Sequence, residues 1–254
     1  MAADMSDASA PGLSSRPSGP EVSFVIPVYN EESILEESVT TLCAALRDLG
    51  WRFEIILAEN GSRDATPELG AQLGDRFTEV TMLRHPEPNY GGALRAGILR
   101  ARGRFVVCEE IDLCDVAFHV RAIELLRSGS VDMVIGSKAM PGADDNRPIG
   151  RRIATRVYNG MLRVAVGFRG TDTHGLKAFV RETVTPVVRS CVVEHDVFAS
   201  ELVVRAHRRG LHVLEIPVDV REKRAPSIGL VRRVPKVIRH VARLMVAIHG
   251  RADG

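Results

Sequence analysis

VSFVIPVYNEES, Val22 to Ser33, is the stretch that decides how the chain is read. An apolar run from Val22 to Val28 stops at a polar turn, Tyr29-Asn30-Glu31. The pattern then changes period. Ile34, Leu35, Val39, Leu42, Ala45 and Leu46 recur at helical spacing, which predicts an amphipathic helix to about Leu49. Asn30 is placed to cap it, and Glu31 and Glu32 lie where the helix dipole favours negative charge. A buried strand feeding a helix through a polar turn is the opening of a strand-helix-strand unit.

The same unit repeats downstream. Phe53 to Ala58 predicts a second strand, and ENGSRDATP a loop in which Thr66 caps a helix with Pro67 at its first position. Glu79 to Leu83 is a third strand, Tyr90-Gly91-Gly92-Ala93 opens a helix through Arg100, and Phe105 to Cys108 is a fourth strand. Alternating strands and helices predict an α/β fold with a mostly parallel sheet flanked by helices. Such sheets bind ligands beyond the carboxyl ends of their strands. Three polar clusters fall there: Tyr29-Asn30-Glu31, Glu59-Asn60-Gly61-Ser62, and Glu110 to Asp115.

The last cluster, EEIDLCD from Glu109 to Asp115, raises a question of charge. Carboxylates this close repel and raise one another's pKa unless something positive sits among them. Two readings are open: a solvated acidic turn, or a metal site.

Beyond Val131 the pattern is less regular. VDMVIGSK is a strand running into Gly136-Ser137-Lys138, followed by a polar segment, PGADDNRPIGRR, and a helix over Ile153 to Phe168. TDTHGLKAFV leads to a second acidic patch, VVEHDVFASEL. LHVLEIPVDV is a strand that Pro217 places near a sheet edge. REKRAPS is a basic loop, and Leu230 to Gly250 a closing amphipathic helix.

Composition narrows the function classes. The 254 residues are 45% hydrophobic and 26% charged with a net charge of +2, which excludes a global nucleic-acid footprint. Cys43, Cys108, Cys114 and Cys191 form no CxxC pair, arguing against structural zinc and for a reducing compartment. Residues 1–20 have a tail-like Ala/Ser/Pro/Gly composition without a secretory pattern, and no apolar run reaches membrane-spanning length. The expectation is one domain over 21–250, with a nucleotide-binding half to about 130 and an acceptor half beyond. The location is cytoplasmic, with the inner membrane face as an alternative.

Taken in order, VSFVIPVYNEES, ENGSRDAT, NYGGALRAGILRARG, EEIDL, GSK, DTHGLKAF and GLHVLEIPV resemble the family 2 glycosyltransferases of the GT-A fold. Within them, the likeness is to the polyprenyl-phosphate (dolichyl-phosphate) mannose and glucose synthases, over about Val22 to His249. The resemblance implies transfer of a sugar from a nucleotide diphosphate sugar with inversion, UDP preferred over GDP, to a polyprenyl phosphate. It places Pro27, Tyr29 and Glu31 at the pocket edge, Glu59 and Asn60 where the family's aspartates read base and ribose, and Gly92 beside the donor. The family's metal motif falls on Glu110-Ile111-Asp112, implying Mg²⁺ or Mn²⁺ on Glu110 and Asp112. Cys114 replaces a common glutamine, Asp115 stands close enough to substitute, and metal dependence is expected to be weakened. Lys138, Arg152 and Arg224, with Arg151 and Arg221, are the phosphate-facing candidates, although Ile228 stands where the family has a lysine. Asp172 is expected at the acceptor or donor sugar. Asp196 is the base if the acceptor is an alcohol; an ionised phosphate needs none.

The last helix has two readings: membrane contact through residues 230–249, or packing of its apolar face on the domain. Two rival functions also stand. One is a soluble glycosyltransferase with a small-molecule acceptor in natural-product or cell-envelope synthesis. The other is a sugar-nucleotide-binding protein that has lost catalysis. A dinucleotide dehydrogenase is disfavoured, because no GxGxxG follows the first strand.

Overall fold

The computed structural model describes residues 19–146, 148–193, 197–219 and 230–250, with side chains of 230–237 left aside. Residues 1–18 of the tail expected over 1–20, Asp196, and the basic loop bearing Arg221 and Arg224 lie outside these residues.

The elements run β1 (Val22–Val28), α1 (Leu35–Asp48), β2 (Phe53–Asn60), α2 (Thr66–Arg76), β3 (Val80–His85), α3 (Tyr90–Arg100), β4 (Phe105–Cys108) and α4 (Val116–Arg127). There follow β5 (Met133–Ser137), α5 (Ile149–Val166), β6 (Lys177–Val180), α6 (Arg181–Ser190), α7 (Phe198–Arg208), β7 (Val213–Pro217) and α8 (Leu230–His249). The strands form one sheet in the order β3-β2-β1-β4-β6-β5-β7. Only β6 is antiparallel to its neighbours.

Strands β1, β2, β4 and β5 are buried along their whole length. This is why they read as continuous apolar runs: a parallel sheet covered on both faces has no wet side. Alternate residues divide between two cores. Phe24, Ile26, Ile55, Leu57 and Val107 pack with α1, α2 and α4. Val25, Ile56, Val106 and Cys108 pack with α3, α5, α6, α7 and α8. Helices α1 and α3 therefore lie on opposite faces, and the chain reverses direction across the sheet between β1 and β4. The crevice at that reversal is where open α/β sheets bind ligands.

Two caps differ from expectation. Asn30 does not cap α1: it has φ 54°, its Oδ1 accepts from the Arg63 N–H at 2.9 Å, and α1 begins five residues later at Leu35. Thr66 is the first residue of α2 rather than its cap, because its hydroxyl is used across the turn to accept from the Glu31 N–H at 2.7 Å. Both polar side chains tie loop to loop instead of loop to helix. Helix α5 starts at Ile149, four residues ahead of the expected Ile153. The Pro217 argument holds, since β7 is an edge strand.

Helix α8 turns Val241, Leu244 and Ile248 into the core. Its carboxyl end is tied down: Arg205 Nη2 donates to the Ala247 carbonyl at 3.0 Å and Arg208 Nη1 to the Ile248 carbonyl at 3.2 Å. Among its described side chains, the apolar face is thus mainly a packing face.

Candidate active site

Three strands deliver the polar clusters to one edge. Beyond Val25, β1 and β4 part company: the last rung is Val25 against Cys108, with the Glu109 N–H donating to the Val25 carbonyl at 3.0 Å. In a parallel strand, residues two apart point their backbone groups to the same neighbour. Pro27 therefore falls where β4 has already left, and its missing N–H removes no ladder bond. The split opens the crevice.

The loop after β1 is laced to the loop after β2 by five hydrogen bonds. Asn30 N–H meets Ser62 Oγ, Glu31 N–H meets Thr66 Oγ1, Glu32 N–H meets Asp64 Oδ2, and the Arg63 and Ala65 N–H groups meet Asn30 Oδ1 and Glu32 Oε2. Tyr29 stays exposed at the rim and Glu31 half-buried. Glu59 and Asn60 leave β2 towards opposite faces. Glu59 is buried and accepts from the Ser62 N–H. Asn60 accepts from the Asn89 N–H, and Asn89 caps α3 by accepting from the Gly92 N–H at 2.9 Å. A Cβ on Gly92 would lie 2.7 Å from Asn89 Nδ2, so glycine lets this cap close.

The acidic stretch separates by the same alternation. Glu109 points towards α4 and pairs with His119 Nε2, both side chains fully buried, while its other oxygen accepts from the Glu110 N–H at 2.8 Å. It is an internal anchor. Glu110 points to the other face, where Tyr90 of α3 donates to it at 2.7 Å. Burial pushes the Glu110 carboxyl up to about 7, with Asp112 and Glu109 adding to the rise against the help of Tyr90 and Lys177. Asp112 is half-buried two residues on. Asp115, the expected substitute ligand, instead caps α4, accepting from the Phe118 N–H at 3.0 Å.

The antiparallel β6 brings a further group that sequence reasoning passed over. Because β6 runs against β4, its first residue, Lys177, lies opposite Cys108 at the end where the acidic stretch begins. Lys177 is buried and donates to the Gly175 carbonyl at 2.6 Å. Burial pulls its ammonium below the ordinary value, although Cys108, Asp172 and Glu110 favour the charge. Asp172 is fully buried beside it. Burial works to raise this carboxyl, but Lys138, 3.5 Å from Oδ2, and the His174 N–H, 2.8 Å from Oδ1, hold it below the usual range. Oδ2 has no hydrogen-bond partner. The signal for Lys177 was a lysine at the head of the apolar strand KAFV.

The turn carrying Asp172 is rigidly seated. Glu215 of β7 accepts from the Thr171 N–H at 2.8 Å, Thr171 Oγ1 meets Ser137 Oγ at 2.6 Å, and Asn159 of α5 donates to the Thr171 carbonyl. A Cβ on Gly175 would lie 1.8 Å from the Gly136 carbonyl oxygen, so only glycine permits this approach. His174 packs edge-on against Tyr158, 4.9 Å between rings. Arg152 is exposed in the first turn of α5.

The edge thus unites Glu110, Asp112, Asp172, Lys138 and Lys177. The two carboxylates of the acidic motif make an all-oxygen donor set, the kind that suits Mg²⁺ or Mn²⁺, and a cation there would relieve the repulsion that adds to the burial-driven rise of Glu110. Among the described residues no group of three or more His, Cys, Asp and Glu side chains gathers to enclose an ion. Substrate phosphates and water would complete its shell.

The family model described as glycosyl transferase family 2 matches residues 23–183. Glycosyltransferase AglD of Haloferax volcanii is 34% identical over 224 residues, 85% of this chain and 35% of that protein. A dolichyl-phosphate beta-glucosyltransferase of Trichomonas vaginalis is 28% identical, covering 79% of this chain and 66% of that one. The chain thus spans between about a third and two thirds of these relatives. Among solved structures, glucosyl-3-phosphoglycerate synthase of Mycobacterium tuberculosis, in complex with Mn²⁺, UDP and glucosyl-3-phosphoglycerate, superposes with a TM-score of 0.62 at 20% identity, over 93% of this chain and 82% of that one. A mycobacterial protein reaches a TM-score of 0.67 at 24% identity, over 93% and 77%. The sheet and its flanking helices are those of the GT-A fold, and the chain belongs to glycosyl transferase family 2.

Proposed function

We propose that the chain transfers a sugar from a nucleotide diphosphate sugar, UDP-linked in preference to GDP-linked, to a polyprenyl phosphate, with inversion at the anomeric carbon. The observation that carries this reading is the pair Glu110 and Asp112 at the β1–β4 crevice, where burial, with the charge of Asp112 adding to it, pushes the Glu110 carboxyl up to about 7. The acceptor oxygen attacks the anomeric carbon from the face opposite the diphosphate. The bond from that carbon to the diphosphate oxygen breaks, and the nucleoside diphosphate leaves with the electron pair. Glu110 and Asp112 would hold Mg²⁺ or Mn²⁺, which would stabilise the charge that develops on the leaving group.

The chain's own groups then have distinct tasks. Pro27, Tyr29, Glu31 and Glu59 form the wall for base and ribose, and Asn60 holds the α3 cap with Gly92 beside the donor. Lys138, Arg152 and Arg224 meet phosphates, with Lys138 as a point charge and the arginines as forks. Asp172, kept ionised by Lys138, orients a sugar hydroxyl. A phosphate acceptor is already ionised and surrenders no proton; an alcohol would require a carboxylate such as Asp196.

Calorimetric titration of UDP and GDP with and without Mn²⁺, followed by an acceptor panel with UDP-glucose as donor, tests the reading. Mn²⁺-dependent binding of UDP and turnover with a polyprenyl phosphate are expected. Turnover only with a small phosphorylated or hydroxylated acceptor would reassign the acceptor. Binding of UDP without turnover on any acceptor would mean a binding protein, and binding of neither nucleotide would sink the proposal.

A further inference from the structure

Tyr90 opens α3, and its hydroxyl donates to Glu110 Oε1 at 2.7 Å across 20 residues of chain. Both ends of this bond stand on fixed backbone. On the tyrosine side, the Asn89 N–H donates to Asn60 at the end of β2, while Asn89 Oδ1 and the Asn89 carbonyl accept from the Gly92 and Ala93 N–H groups, each at 2.9 Å. The Tyr90 ring packs against the core that α3 shares with α6 and α7. On the glutamate side, the Glu110 N–H donates to Glu109 Oε1 at 2.8 Å, the Glu110 carbonyl accepts from the Leu113 N–H at 3.0 Å, and Glu109 is itself held by His119.

What is left to fix is the glutamate side chain. It turns about three bonds, and a carboxylate free to do so spreads over several rotamers that a ligand must then order. Tyr90 takes one of its two oxygens. A hydrogen bond to an ionised carboxylate is stronger than one between neutral groups, so the direction is well held. The donor also has a fitting charge. A phenol is neutral in the physiological range, and it aims the carboxylate without cancelling the charge that a cation needs. Lys177 acts on Glu110 through its charge, while its Nζ donates to the Gly175 carbonyl at 2.6 Å. Lysine supplies field and tyrosine supplies direction.

We infer that Tyr90 is a positioning residue for the cation site: it holds Glu110 by Oε1 and leaves Oε2 to a Mg²⁺ or Mn²⁺ shared with Asp112. The inference rests on the metal-assisted reading of Glu110 and Asp112. It also predicts a dependence on arm length. A carboxylate one carbon shorter would draw back by about 1.5 Å, beyond hydrogen-bond reach of the hydroxyl, so Glu110→Asp disconnects the tyrosine.

The test is the affinity for Mn²⁺ in the presence of UDP, read from the electron paramagnetic resonance of the free ion, with UDP affinity in the absence of metal measured by calorimetry. Tyr90→Phe keeps the ring and removes the hydroxyl. It should weaken Mn²⁺ binding about tenfold. UDP affinity without metal should stay at the wild-type value and the melting temperature within about 4 °C of it, which separates lost positioning from lost folding. Turnover of Tyr90→Phe should recover as Mn²⁺ is raised. Added to Glu110→Asp, Tyr90→Phe should cost no further Mn²⁺ affinity. Wild-type Mn²⁺ affinity in Tyr90→Phe would overturn the inference and leave the cation site standing. A further tenfold loss in the double variant would also overturn it, because the hydroxyl would then act elsewhere than on Glu110. Wild type that binds UDP but no Mn²⁺ would overturn it together with the cation site.

Discussion

Glu54 at the amino end of the sheet and Glu110 at its carboxyl end are handled in opposite ways. At the amino end, Glu54 of β2 is saturated: Ser23 Oγ donates at 2.6 Å, the Arg102 N–H at 2.7 Å, and the Arg102 guanidinium through Nε at 2.9 Å and Nη2 at 2.8 Å. Burial works to raise its pKa, but these donors outweigh it and hold Glu54 below its ordinary 4.5. At the carboxyl end, Glu110 accepts from Tyr90 and is pushed up to about 7, while Asp172 keeps one oxygen without a hydrogen bond among the described residues. The fold satisfies a carboxylate wherever it serves only packing. It leaves charge open at the crevice, where a cationic or polyhydroxylated ligand can complete it.

That contrast breaks if carboxyl-end substitutions cost stability and amino-end ones cost activity. The largest effect is expected at Asp112. Asp112→Ala should lower turnover by about a thousandfold and abolish Mn²⁺-dependent UDP binding in calorimetry, with thermal stability unchanged or raised, since a repelling charge is gone. Next is Lys177→Met. Methionine has a similar volume but leaves the Gly175 carbonyl without this donor, so stability should fall by about 1 kcal/mol, while steady-state kinetics show turnover falling about a hundredfold. A collapse in stability with normal turnover would make Lys177 a packing group only.

The amino end should answer in the other currency. Glu54→Gln should keep full turnover but lose about 2 kcal/mol of stability in urea denaturation at pH 7. The sign follows from linkage. A folded pKa below the unfolded value makes the stabilisation complete above about 4.5 and removes it as pH falls through the folded pKa. The gap between wild type and variant should therefore close in acid. Smallest is Asp115→Ala, which removes the α4 cap and should cost about 1 kcal/mol with no change in Mn²⁺ affinity. A loss of Mn²⁺ binding there would return Asp115 to the ligand set.

Much of the site was legible before the structure. The sequence pattern places Val22–Val28, Tyr90–Arg100 and Phe105–Cys108 at their observed limits, and the loops after β1 and β2 are laced together at the edge where the acidic stretch begins. The split between Glu109 and Glu110 was within reach too: the period of two that sends Val107 and Cys108 to opposite cores sends the glutamates the same way. What hid it was the partner, since His119 lies on a helix the sequence pattern did not single out. Lys177 was quoted within DTHGLKAF but given no role. A lysine at a strand head is usually a solvated end, and only the antiparallel pairing makes it internal.

The sequence by itself determined the order of strands and helices in the first half, the edge position of β7, the family, and the carboxylates at the end of β4. These depend on short-range periodicity, turn residues and local motifs, and each is carried by residues adjacent in the chain. Tertiary structure alone decided which carboxylates are anchored and which are open, and that Asn30 and Thr66 tie loops instead of capping helices. Those outcomes depend on partners from 10 to 48 residues away, as between Glu109 and His119, Asn30 and Arg63, or Glu54 and Arg102. A propensity or a motif records what a residue is able to bond. Which neighbour arrives to bond it is settled only when the strands take their order in the sheet.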